Sequence, residues 1–221
     1  MEYFYLLDLI GTFAFSVYGA YIGLKKNFDY VGVTLCAFLC AMGGGTIREV
    51  ILNRVPFYFH DYNYIYVMLA GVAFCTITYS YFHKINKAML VLDAVGLSTF
   101  AFIGAATAIG ADLGIVGAII FAVITAVGGG ILRDMVANRT PSSFLERDFY
   151  AGPVVLSAVL QYLYRDFMHD AIAVFSLLCF IFIVRVAAIF LNIDFRKWHN
   201  VFGWGKVYTA KAFSAATKFF F

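Results

Sequence analysis

Three observations predict an all-α membrane protein with seven transmembrane helices, arranged as two inverted three-helix repeats plus a seventh helix. Of the 221 residues, 63% are hydrophobic and 13% charged, well under the roughly 25% charge of an ordinary soluble domain, so lipid is the main solvent. Seven apolar runs approach the roughly 20 residues that a spanning helix needs. A motif also occurs twice: GGGTIREVILNRVP at 43–56 and GGGILRDMVANRTP at 128–141.

The expected spans are 3–24, 30–52, 62–82, 88–109, 113–137, 149–164 and 171–191. The sixth is short, and Leu145-Glu146-Arg147-Asp148 blurs its start. Most connections hold only a few residues; the longest are 53–61 and 138–148, too small for a soluble domain. Met1-Glu2-Tyr3-Phe4 lacks the basic region and cleavage site of a secretory leader and is expected to open the first span.

Basic residues set the expected orientation. The side holding the N-terminus and the second, fourth and sixth loops carries only Arg54 and Arg165. The other side carries Lys25, Lys26, Lys84, Lys87, Arg139, Arg147 and five basic tail residues, so the tail is expected in the cytoplasm and the N-terminus outside. The net charge of +3 is less informative than this asymmetry.

A shift of 85 residues superimposes Asp8 on Asp93, Gly11 on Gly96, Phe15 on Phe100, Gly19 on Gly104, Arg48 on Arg133, Asn53 on Asn138 and Pro56 on Pro141. The units are read as 3–83 and 87–168, followed by a seventh helix at 169–194 and a basic, aromatic tail at 195–221. Three helices per unit turn the second copy upside down relative to the first, and interrupted helices at matching places in inverted halves point to a permeation or binding site. Each glycine in a helix interior costs about 1 kcal/mol relative to alanine, so three in a row are expected to break the second and fifth helices or to mark a close backbone approach.

The paired GGGxxR[DE] segments in a 3+3+1 arrangement resemble the bacterial branch of the trimeric intracellular cation channel (TRIC) family, which overlaps bacterial proteins described as glycine transporters. The resemblance covers about residues 3–194. Where animal members have Lys-Glu-Val after the first triplet, this chain has Arg48-Glu49-Val50. The resemblance implies a homotrimer in the bacterial inner membrane, a hydrophilic pore inside each subunit, second and fifth helices kinked at the triple glycines, and passage of K⁺ and Na⁺.

Gly43, Gly44, Gly45, Gly128, Gly129 and Gly130 are expected to line the pore, with freed carbonyls replacing part of a cation's hydration shell; alternatively they permit tight helix crossing. Arg48 and Arg133 would repel a cation unless neutralised. Their candidate partners are Asp8 and Asp93, the adjacent Glu49 and Asp134, or carbonyls at the opposite glycine break, and structural pairing and gating are both open. Asp8 and Asp93 either cap helix starts or face the pathway. Ser16, Thr46, Thr99 and Thr125 offer pore-lining hydroxyls or bond their own backbone.

Arg185 is expected to snorkel to the cytoplasmic surface, and the aromatics around Phe57 to Tyr66 to form an interfacial belt. Cys36, Cys40, Cys75 and Cys179 read as buried apolar residues. The four histidines lack ligand spacing, so no metal or other cofactor is expected. The tail suits anionic lipid rather than nucleic acid. No nucleophile–base pair or phosphate loop occurs, which argues against an enzyme. The first reading is a monovalent cation channel. Its rival is a secondary transporter for a small zwitterion such as glycine, which the arginines would suit.

Overall fold

The computed structural model describes residues 2–82, 86–141, 151–165 and 171–191. Among these, seven α-helices form: α1 (Glu2–Lys25), α2 (Tyr30–Ile51), α3 (Asn63–Phe82), α4 (Asn86–Gly110), α5 (Gly114–Val136), α6 (Ala151–Leu163) and α7 (Ala171–Leu191). A 3₁₀ turn at Phe57–Phe59 folds the connection between α2 and α3. Six helices are long and apolar enough to cross a membrane. The exception, α6, has 13 residues and spans about 20 Å, short of the roughly 30 Å hydrocarbon core. The tail at 195–221 and most of the 138–148 connection lie outside the described residues.

The duplication extends to the way each helix stops. Asn27 and Asp112 end α1 and α4 with φ of 55° and 53°; Asn53 and Asn138 end α2 and α5 with φ of 53° and 48°. Each pair is 85 residues apart. Asparagine and aspartate are the residues other than glycine that best tolerate this left-handed conformation. The bonds that close the helix ends repeat as well. Phe28 N donates to Gly23 O and Leu113 N to Ala108 O, both at 3.1 Å, while Arg54 N donates to Glu49 O and Arg139 N to Asp134 O, both at 2.9 Å. These are the six-to-one bonds of a Schellman stop.

Helices α1 and α4 are innermost, with 67% of their spanning windows buried, against 22% for α3 and 33% for α7. Phe15 and Phe100 meet edge to face on the pseudo-twofold axis, ring centroids 5.1 Å apart. Each ring occupies the space above the other helix's glycine: a Cβ on Gly96 would overlap Phe15, and one on Gly11 would lie 2.9 Å from Phe100.

The break expected at the triple glycines is absent. Helices α2 and α5 run unbroken through Gly43–Gly45 and Gly128–Gly130, so the expectation of freed carbonyls fails with it. The glycines serve a crossing instead. A Cβ on Gly44 would overlap the Thr125 carbonyl oxygen, and one on Gly129 the Cys40 carbonyl oxygen. Helix backbones this close gain packing over their whole contact, which offsets the roughly 1 kcal/mol propensity cost of each glycine.

Two buried charge clusters within the membrane

The arginines of the duplicated motif lie in the last turns of α2 and α5. Helical side chains lean towards the N-terminus of their helix, so from opposite ends both arginines point back into the bilayer. Both are buried, Arg48 at 6% exposure and Arg133 at 1%.

Arg133 is held on several sides. Its Nε lies 3.0 Å from Asp134 Oδ1, its Nη1 donates to Cys40 Sγ at 3.2 Å, and Nη1 stands 3.9 Å from Asp93 Oδ1. The guanidinium carbon sits 4.4 Å from the centroid of the Tyr18 ring. Two carboxylates and an aromatic face thus surround one buried cation, which makes its burial tolerable.

Arg48 is held differently. Its Nε and Nη2 both lie 2.8 Å from Glu49 Oε1. Asp8, the counterpart of Asp93, accepts a hydrogen bond from the Tyr64 hydroxyl at 2.9 Å instead. Asp8 and Asp93 both lie within helices, beyond the first turn, so neither is a helix-start cap.

The Arg48 cluster opens into a cavity of about 610 Å³, lined by Tyr5, Glu49, Arg54, Phe57, Asp61 and Tyr64 among others, at the membrane face where α1 begins. Across its rim Tyr5 Oη donates to Asp61 Oδ2 at 2.6 Å, and Asn63 Nδ2 donates to Tyr5 Oη at 2.9 Å. These bonds tie the start of α1 to the α2–α3 connection. The Tyr5 hydroxyl, followed by the Asn63 backbone N–H, holds the Asp61 carboxyl below the usual carboxylate range.

The four candidate hydroxyls have separate fates. Ser16 Oγ donates to Met68 O at 2.6 Å and joins α1 to α3. Thr99 bonds the Val95 carbonyl at 2.9 Å, and Thr46 the Met42 carbonyl at 2.8 Å with the Tyr58 hydroxyl 3.4 Å away. Thr125 is buried, and its hydroxyl has no hydrogen-bond partner among the described residues.

Snorkelling of Arg185 is a failed expectation: the residue is 1% exposed. Its side chain leans towards the start of α7, away from the surface that was to receive it. Cys36, Cys40 and Cys75 are buried, whereas Cys179 is exposed on α7. Sequence reasoning passed over Tyr18, Tyr64 and Cys40 as pairing groups. Only Cys40 had a signal, because the 85-residue shift aligns it with Thr125.

A glycine transporter family model matches residues 5–80 and 90–166, its two segments falling on the two repeats. The chain belongs to that family. The UPF0126 inner membrane protein YadS of Escherichia coli strain K12 is 35% identical over 159 residues, covering 71% of this chain and 76% of that protein. A prokaryotic TRIC channel crystallised in 0.5 M KCl superimposes with a TM-score of 0.80 at 28% identity, over 86% of this chain and 98% of that one. The TRIC trimeric intracellular cation channel orthologue from Rhodobacter sphaeroides gives 0.76 at 32% identity, over 87% and 100%. The glycine transporter family member described here is therefore a multi-pass membrane protein with the fold of prokaryotic TRIC channels.

Proposed function

We propose that the protein is a monovalent cation channel, passing K⁺ and Na⁺ through each subunit of a homotrimer in the bacterial inner membrane, with the N-terminus outside and the C-terminus in the cytoplasm. One observation carries the reading: two symmetry-related charge clusters are buried among the spanning helices, one of them opening into a 610 Å³ cavity. Charged groups are expensive at such depths, and they mark ion and substrate pathways in membrane proteins. The likeness to TRIC channels supports cation passage, and the relative described as trimeric supports the assembly.

In this reading the passage runs beside the closed α2–α5 crossing, and side chains rather than freed glycine carbonyls line it. Glu49, Asp61 and Asp8 attract cations to the mouth. Arg133 bars the far end; Asp93 and Asp134 balance its charge there, and its withdrawal opens the route. The purified protein in planar bilayers is expected to give discrete K⁺ conductance steps. Glycine uptake into liposomes that saturates, without such steps, would reverse the assignment.

The second reading, a carrier for a small zwitterion, is favoured by Arg54 and Glu49 both lining the cavity, an arrangement able to meet both a carboxylate and an ammonium group.

A further inference from the structure

The 85-residue shift maps Cys40 onto Thr125 and Arg133 onto Arg48. In one half the arginine fills its seat, with Arg133 Nη1 3.2 Å from Cys40 Sγ. In the other half the matching seat is empty. Thr125 is 2% exposed and its hydroxyl has no hydrogen-bond partner among the described residues, while Arg48 places both Nε and Nη2 on Glu49 at 2.8 Å. Buried hydroxyls are rarely left unsatisfied in folded proteins, so one that is left so calls for a partner.

The backbone around the two seats is equivalent. Gly129 faces the Cys40 carbonyl as Gly44 faces that of Thr125, and Gly19 faces the Cys36 carbonyl as Gly104 faces that of Phe121. An arginine that reaches Cys40 from position 133 therefore reaches position 125 from position 48. We propose that Thr125 is the second seat of Arg48: in an alternative state one Nη of the guanidinium turns from Glu49 and donates to Thr125 Oγ1 while Nε stays on Glu49, as Arg133 donates to Cys40 by Nη1 and to Asp134 by Nε.

Two features make Arg48 the arginine that moves. The counterpart of Tyr18 is Ile103, so the Thr125 seat lacks the aromatic face that helps to hold Arg133. Asp8, the counterpart of Asp93, is engaged by Tyr64. When Arg48 turns, the Glu49 carboxylate keeps one of its two bonds from the arginine and faces the cavity less fully neutralised. Thr125 is thus a positioning residue for Arg48. The inference rests on the duplicated geometry and stands or falls independently of conduction.

The test is a double-mutant cycle read by thermal and denaturant unfolding of the full-length protein in detergent, which needs no transport. Glu49→Gln weakens the present partner and moves Arg48 to Thr125. In that background Thr125→Val is expected to reduce the folded-to-unfolded ratio about tenfold more than in the unaltered protein, the scale of one hydrogen bond to a charged group. Thr125→Ser, which keeps the hydroxyl, is expected to restore most of that difference. Equal effects of Thr125→Val in both backgrounds overturn the proposal. Where the double variant does not purify, Thr125→Asp gives a second reading: it folds with Arg48 present and fails with Arg48→Gln. Failure in both backgrounds overturns the proposal as well.

Discussion

Arg133 on α5 donates to the sulfur of Cys40 on α2 at 3.2 Å, across the crossing that the glycines make possible. The same guanidinium faces two carboxylates, Asp134 at 3.0 Å and Asp93 at 3.9 Å. Removing the arginine leaves two buried acids without their cation. Breaking a buried pair on one side costs about 3–5 kcal/mol, so Arg133→Ala is expected to lose about that much stability in detergent. Adding Asp93→Asn should recover part of it. An unchanged melting temperature in Arg133→Ala would remove the cluster from the list of what holds the fold. In bilayers, an Arg133 variant that folds is expected to stay open longer.

The glycines of one triplet are not equivalent, and alanine substitution separates them. A Cβ at Gly44 or Gly129 runs into a backbone carbonyl of the opposite helix. Backbone cannot step aside as a side chain can, so each substitution is expected to cost about 1–3 kcal/mol, the usual range for overpacking. At Gly128 the nearest atoms are 3.5 Å or more away. There alanine's helix propensity, worth about 1 kcal/mol over glycine, should leave stability unchanged or raised. Melting temperatures of the three single variants check the ranking.

The seven helices were legible because each is an apolar run, four of them closed by an asparagine or aspartate suited to a helix stop, and the inversion was legible because the two copies align without a gap from residue 8 to 56. The continuity of α2 and α5 was not. Local propensity counts three glycines as three costs, whereas the compensating contacts lie far along the chain, Gly44 against Thr125 and Gly129 against Cys40. Pairing of Arg48 with Glu49 and Arg133 with Asp134 was among the options that adjacency allowed. Tyr18 and Tyr64 were invisible as partners, since a tyrosine in an apolar run carries no mark of the helix it will face. Arg185 was misread because distance from a helix end was weighed without the direction in which its side chain leans.

The rim bonds between Tyr5, Asp61 and Asn63 give a pH dependence of known sign. The folded-state pKa of Asp61 is lowered, chiefly by the Tyr5 hydroxyl. A lowered carboxyl contributes stability that is present above its ordinary value near 4 and is lost as pH falls through the folded value. Tyr5→Phe should therefore melt slightly below the unaltered protein at pH 7, with the gap closing as pH drops below about 4. A gap that widens towards acid would contradict the assignment.

Phe15 and Phe100 share the pseudo-twofold axis, each ring seated on the other helix's glycine, so they provide a test of the symmetry itself. Truncating a buried phenylalanine typically costs about 3–5 kcal/mol. Because the two sites are equivalent, Phe15→Ala and Phe100→Ala are expected to cost similar amounts. Gly96→Ala should be destabilising alone, since its Cβ overlaps the Phe15 ring, yet nearly neutral or favourable once Phe15→Ala has vacated that space. Contacting residues depart from additivity by about 0.5–3 kcal/mol, and the Phe15–Gly96 cycle should fall in that range. The crossed pair, Phe100→Ala with Gly96→Ala, tests whether the coupling is local: Phe100 packs on Gly11 rather than Gly96, so the rescue there should be much weaker. Equal rescue by both phenylalanine variants would mean that the axis relaxes as a whole and that the two sockets do not act separately.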